Sequence, residues 1–260
     1  MAIIEAGELH YFSFNSFASQ NLLQGIFTRH GGVSPAPWIS LNTATTVGDT
    51  RDNIIENRRR IFSVMGRPVE SIFDVWQIHS SQIICADQPR PLDLLQQKAD
   101  AIITDRPEIT LFMRFADCVP IFLYDPIKKV IAIVHAGWKG TINNIISKSV
   151  EAMHARYQTQ SSDILAGIGP SIGPDHYEIG LDVIKHVEQA FGKDAAELLS
   201  SKGGRTYLDL WKANEINLCH SGVKHIEFSG ICTAYQTEDW YSHRAEHGKT
   251  GRFGAILAMK

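Results

Sequence analysis

The sequence predicts an α/β fold built on mixed sheets, and three observations lead there. Six apolar, strand-like runs crowd the centre of the chain, at 73–78, 82–86, 101–104, 109–115, 119–124 and 130–134. Stripes of apolar residues at helical spacing lie before and after them. The strands cluster instead of alternating one by one with helices, which argues against a purely parallel sheet.

Taken in order, residues 7–29 read as two early strands that end in GIFTRHGG (25–32), where paired glycines permit backbone angles that other residues avoid. A loop carrying Pro35, Pro37 and Asn42 follows. Residues 51–65 read as a helix capped by Asp49 or Thr50, with Ile54, Ile55, Ile61, Phe62 and Met65 as its apolar stripe; Gly66 and Pro68 end it. After the central strands, the chain enters a helix around 138–141, in which Ile142, Ile145, Ile146, Val150 and Met153 recur at helical spacing. An apolar run at 164–168 leads into GPSIG (169–173), helices follow at 181–191 and 209–220, and the last strands are 225–228 and 253–258.

No internal repeat, low-complexity tract or long Pro/Ser linker interrupts the 260 residues, so one domain spanning 1–260 is expected. Acidic residues outnumber basic ones, 28 to 25, and Lys and Arg are scattered apart from Arg58-Arg59-Arg60, which reads most simply as a solvated helix face, although Arg58 could turn inward toward an anion. Nucleic acid is therefore not an expected partner. No apolar stretch is long enough to span a bilayer, and the first seven residues include Glu5 with no basic segment ahead of an apolar core, so neither a membrane nor secretion is signalled. Four cysteines, Cys85, Cys118, Cys219 and Cys232, lie far apart with no C-x-x-C pair, which fits reduced thiols in the cytoplasm.

The chemistry concentrates at His79, Cys118 and His135, each placed where a strand-like run gives way to polar or glycine-containing sequence. One pole of a sheet system can bring them together. Two imidazoles and a thiolate fill three corners of a zinc tetrahedron and leave the fourth open, as in a catalytic site. Taken singly, a buried histidine or an inert cysteine is the commoner fate, and Cys118 with His135 or His79 also suits a metal-free cysteine hydrolase.

Around this trio stand further polar candidates. Asp117, beside Cys118, can shuttle a proton or bond turn amides. In HAGWKG (135–140), two glycines at a helix entrance and Lys139 suit either an anion or a packing turn. Arg29 and Arg244 offer forked donors to an anion, and Asn42 can touch substrate or hold its own loop. His243 and His247 read as solvated loop histidines.

Taken together, TRHGGVS (28–34), QIH (77–79), ADAIIT (99–104), ADCVP (116–120), HAGWKG (135–140), IGPSIG (168–173), YLDL (207–210) and GR (251–252) resemble the YfiH-type laccase-domain family, in family order over nearly the whole chain. The resemblance implies a four-layer α/β/β/α sandwich and zinc held by His79, Cys118 and His135, with copper as the alternative ion. It also implies phosphorolysis of adenosine, inosine, guanosine and methylthioadenosine to free base and ribose 1-phosphate, with adenosine deamination besides. The older label for the family, multicopper polyphenol oxidase, fits poorly, because that chemistry needs several histidine-rich sites and one cluster is visible here. The chain departs from the family at Ser80, where glycine is usual, and at Lys139, where arginine is frequent.

The expectation is thus a zinc-dependent purine nucleoside phosphorylase. Cys118 and Asp117 are its catalytic candidates, and Arg29, Asn42, Lys139 and Arg244 its substrate-binding candidates. Its partners are purine nucleosides and phosphate, with copper-dependent phenol oxidation and metal-free hydrolysis as competing readings.

Overall fold

The computed structural model of the protein describes residues 2–260. Three strands open it, β1 (Ala2–Ala6), β2 (Leu9–Ser13) and β3 (Leu22–Phe27), with the short helix α1 (Asn15–Ala18) between the second and third. Helix α2 (Arg51–Val64) leads to β4 (Ile72–Asp74), β5 (Ile83–Cys85), β6 (Ala101–Thr104), β7 (Thr110–Phe115), β8 (Val119–Asp125) and β9 (Val130–Ala136). Helices α3 (Trp138–Ile142) and α4 (Ile145–Tyr157) precede β10 (Leu165–Ile168) and β11 (Glu178–Ile179). Next come α5 (Leu181–Phe191), α6 (Ala195–Leu198), β12 (Leu199–Lys202), β13 (Arg205–Leu208), α7 (Leu210–His220), β14 (His225–Phe228) and β15 (Phe253–Met259).

Two six-stranded mixed sheets result, ordered β1-β2-β3-β15-β7-β4 and β14-β10-β8-β9-β6-β5, with a small β11-β13-β12 sheet beside them. In the first, β15 runs antiparallel to both β3 and β7, while β4 is parallel to β7. In the second, β8 and β9 form an antiparallel hairpin, and β5 and β14 each add a parallel neighbour at an edge.

The period of two along each strand sorts the side chains into layers. Phe122 of β8, Ile131 and Ile133 of β9, Met113 and Phe115 of β7, and Ala255 and Leu257 of β15 meet between the sheets. The alternate residues of β8 and β9, such as Ile121, Leu123, Ala132 and Val134, instead pack with Ile146, Val150 and Met153 of α4 and Leu218 of α7. On the far side, Ile61 and Phe62 of α2 cover Phe27, Phe112 and Ile256 of the first sheet. The order is helix, sheet, sheet, helix. Because both faces of the sheets are buried, their central strands read as near-continuous apolar runs. A phenylalanine such as Phe122, 0% exposed and edge-on to Phe14, contributes about 3–5 kcal/mol against truncation to alanine.

Several expectations needed correction. A strand at 2–6 was overlooked, so the early strands number three. The run 73–78 pairs as a strand only to Asp74, because beyond the isolated bridge at Trp76 the backbone N–H groups of residues 78–80 turn to the carboxylate of Asp100. Helix α2 is capped by Thr50, whose side chain accepts from the Asn53 N–H; Ile55 points to solvent and the buried Asn57 takes a place on the inner face. The helix expected from 138 onward is two, separated by Asn144 in the left-handed region (φ 56°). Of the arginine run, Arg59 is solvated and paired with Glu56, whereas Arg58 turns inward beside Asp74 and donates to the Thr43 carbonyl. The small third sheet was not foreseen.

Candidate metal centre and its cavity

His135 inherits its direction from β9. The alternation that aims Ile131 and Ile133 between the sheets aims His135 there too, against Phe115 at the end of β7. Cys118 lies in the tight passage from β7 of the first sheet to β8 of the second, next to Asp117 in a left-handed conformation (φ 82°). His79 follows β4, itself left-handed (φ 57°), and its ring reaches the same point. All three residues therefore sit at one pole of the paired sheets.

The coordinating atoms of His79, Cys118 and His135 lie within 4.8 Å of one another, with His79 Nε2 and Cys118 Sγ 3.7 Å apart. Donors that bind one ion at about 2.0–2.3 Å in a tetrahedron come to rest at comparable separations. Two borderline imidazoles and a soft thiolate suit zinc. His135 is buried and His79 exposed, so the group opens on one side.

Asp100 organises this trio from behind. Fully buried, it accepts His135 Nδ1–H at 2.8 Å, the His79 N–H at 3.0 Å and the Ser80 N–H and hydroxyl at 2.6 and 2.8 Å. An ionised carboxylate only accepts, so Nδ1 carries a proton and Nε2 of His135 is the nitrogen left to face Cys118 and an ion. Burial works against the charge on Asp100, yet the His135 hydrogen bond and charge, with the Ser80 donors, hold its pKa below the usual carboxylate range. Ser80 supplies through its hydroxyl a bond that a glycine there would lack.

The electrostatics of the metal-free trio favour ionised partners. Burial raises the Cys118 thiol, but His135 and then His79 outweigh it and bring it below the ordinary thiol range. Burial likewise opposes protonation of His135, which Cys118 and Asp100 overcome, pushing it upward. Behind the sulfur, Gly137 leaves room that nothing else could: a Cβ there would lie 2.9 Å from Cys118 Sγ and 3.1 Å from His79 Cδ2.

The trio forms part of the wall of a cavity of about 480 Å³. Asp117 and Arg244 also line it. Both Asp117 oxygens are occupied, by the Thr233 hydroxyl at 2.8 Å and the Arg244 backbone N–H at 2.6 Å. The other substrate candidates fall elsewhere. Arg29 spends its guanidinium on the carbonyls of Ile39 and Thr237 and on Glu246, stacked over Tyr241, away from the cavity wall. Asn42 is fully buried and ties the Asp49 carboxylate, the Ala44 backbone and the Arg252 N–H together. Lys139 is exposed on α3 over the Trp138 ring and is not a wall residue.

Residue-by-residue reading missed Asp100, Arg252 and His243. The first two stood inside the family blocks ADAIIT and GR without being given roles. His243, read as a solvated loop residue, is exposed yet lines the cavity, with Nδ1 3.5 Å from Arg252 Nη2. Nothing in its local sequence marks it, since only the fold brings its loop to the pole.

Comparison with known proteins agrees with the fold. Residues 23–260 match the family described as multi-copper polyphenol oxidoreductase laccase. The chain is 32% identical to the purine nucleoside phosphorylase YlmD of Bacillus subtilis (strain 168), over 93% of this chain and 90% of that protein. It is 35% identical to a purine nucleoside phosphorylase of Deinococcus radiodurans, over 89% and 87% respectively. Among solved structures, the Bacillus licheniformis protein YfiH superposes with a TM-score of 0.91 at 30% identity, covering 98% of both chains. YlmD from Geobacillus stearothermophilus gives the same TM-score and identity, over 99% of this chain and 98% of its own. With a match that runs through every block from β3 to β15, the chain belongs to the YfiH-type laccase-domain family.

Proposed function

We propose that this protein is a zinc-dependent purine nucleoside phosphorylase, cleaving adenosine, inosine, guanosine and methylthioadenosine with phosphate to the free base and ribose 1-phosphate. Residues 1–260 act as one catalytic domain in this reading. The observation that carries it is the convergence of His79, Cys118 and His135 on the wall of a cavity large enough for a nucleoside. The purine nucleoside phosphorylase names of similar proteins from B. subtilis and D. radiodurans support it. His79, Cys118 and His135 hold the ion, and Asp100 fixes the two imidazoles. A zinc held there would supply Lewis acidity and the activation of water, which would also serve a secondary adenosine deaminase activity. Asp117 orients the Arg244 segment and is the candidate for moving a proton at the cavity wall.

Four free cysteines fit a cytoplasmic location, and among the described residues no helix is long and apolar enough to cross a membrane. Phenol oxidation by several coppers finds little support, since the described residues hold one His/Cys cluster sized for a metal. A second reading has a specific observation in its favour: Cys118, His135 and Asp100 stand in the order nucleophile, base and orienting carboxylate, as a metal-free hydrolase needs. The deciding experiment quantifies bound metal and follows base release from inosine and adenosine with and without inorganic phosphate. Phosphate-dependent release that disappears on chelation is expected. A filled zinc site with no phosphate-dependent release would sink the phosphorylase reading, and activity that survives chelation would favour the hydrolase.

A further inference from the structure

We infer that Arg252 and Arg244, with His243 beside Arg252, form the subsite for inorganic phosphate, in the cavity that the metal trio lines. The inference rests on the phosphorylase reading and replaces Arg29 and Lys139 as the anion-holding groups.

Three arginines line the cavity, and they differ in what surrounds them. Arg114 is spent: it faces Asp74 at 3.7 Å, donates to the Val75 carbonyl and contacts the Gln77 side chain. Arg252 and Arg244 are different. Among the described residues neither has a carboxylate within ion-pair distance. Arg252 uses Nη1 on the carbonyls of Thr250 and Gly251, which anchors the guanidinium while Nε and part of Nη2 stay without a protein acceptor. Arg244 uses one Nη1 bond, to the Glu178 carbonyl, and lies over the Tyr177 ring, leaving Nε and Nη2 uncommitted.

A guanidinium that is held in place, partly desolvated and unpaired is matched by an oxyanion, to which its fork of donors is complementary. Burial makes the Arg252 charge costlier and lowers its pKa, with Cys118 and Asp117 opposing that effect. An anion arriving there relieves the same cost. His243 completes the edge. Arg252 offers only donors, so Nδ1 of His243 faces it as acceptor and the ring proton sits on Nε2 as a further donor.

Placed here, the phosphate stands in the same cavity as the trio, as phosphorolysis needs. The hydrogen phosphate dianion forms a bond from oxygen to ribose C1′ while the bond from C1′ to purine N9 breaks. N9 keeps the electron pair, and the proton that phosphate carried ends on the base.

The test uses zinc-loaded protein and inorganic phosphate as the probe, with Arg252→Gln, Arg244→Gln and Arg252→Lys. Loss of a charge-assisted contact raises the KM for phosphate about tenfold or more in both glutamine variants. The nucleoside KM stays within about twofold, and the lysine variant recovers part of the loss because it keeps the charge without the fork. Calorimetric titration with phosphate alone gives the same order of affinities. Should Arg252→Gln not fold, Arg244→Gln decides, since its side chain is exposed. Wild-type phosphorolysis with an unchanged phosphate KM in the folded variants would overturn the subsite. Phosphate binding that the variants weaken, in a wild-type protein that releases no base, would leave the anion site standing and remove the phosphorylase reading instead.

Discussion

Asp100 and His135 share a 2.8 Å hydrogen bond between carboxylate Oδ1 and ring Nδ1, and the same carboxylate accepts the backbone N–H of His79. One buried side chain thus sets two imidazoles at once. Asp100→Asn preserves the volume but turns half of an acceptor into a donor facing other donors. Zinc affinity falls about 10–100-fold in a competition assay against a chromogenic chelator. An unchanged affinity would show that the rings are oriented without Asp100.

Cys118 and Cys85 should part company in the metal-free protein. Burial raises the Cys85 thiol, whereas the imidazoles around Cys118 bring it below the ordinary range. Alkylation by iodoacetamide near neutral pH, mapped by mass spectrometry, labels Cys118 at least about tenfold faster. Added zinc protects it, and acidification reverses the protection because protons compete with the ion for sulfur and imidazole. Equal labelling of the two cysteines would contradict this electrostatic picture.

Gly137→Ala tests the room behind the trio. Its backbone (φ −74°) accepts any residue, so the fold tolerates the change. The added methyl, however, would press on Cys118 Sγ and His79 Cδ2. Zinc affinity drops by about an order of magnitude, as expected for ligands pushed by a few tenths of an ångström, while the thermal midpoint of the metal-free protein hardly moves. Full zinc affinity in this variant would mean that the side chains yield freely.

How much of this was legible in the chain depended on the kind of signal. The strands at 101–104 and 110–115 announce themselves, since burial on both faces leaves unbroken apolar runs. His79, Cys118 and His135 could be named because each ends or follows such a run. Asp100 was hidden, since a lone aspartate ahead of a strand looks like turn chemistry until five donors are seen to converge on it. Arg29 misled for the opposite reason. A motif-rich segment suggested a ligand, but the fold consumes that guanidinium in bracing its own loop. Pairing across two hundred residues, as between Asn42 and Arg252, leaves no local trace.

Asp49 offers a pH-dependent test of that bracing. Its oxygens accept from Ser34, Asn42, Asn53 and the Thr50 N–H, and these bonds hold its pKa below the usual carboxylate range although burial opposes them. The folded pKa is therefore lower than the unfolded one. Its stabilisation is complete above about pH 4 and is lost as pH falls through the folded value. Asp49→Asn costs about 1–3 kcal/mol at neutral pH in a urea melt, and the gap to wild type narrows in acid. A gap independent of pH would assign the loss to shape alone.

His79 and Cys118 trail from strands of the first sheet, whereas His135 terminates a strand of the second. An ion held by all three is a clasp across the seam, and chelation would slacken amide protection on both sides of that seam together. The small β11-β13-β12 sheet, which carries none of the clasp, would exchange at an unaltered rate. Catalytic competence and mechanical cohesion would then be read from one titration.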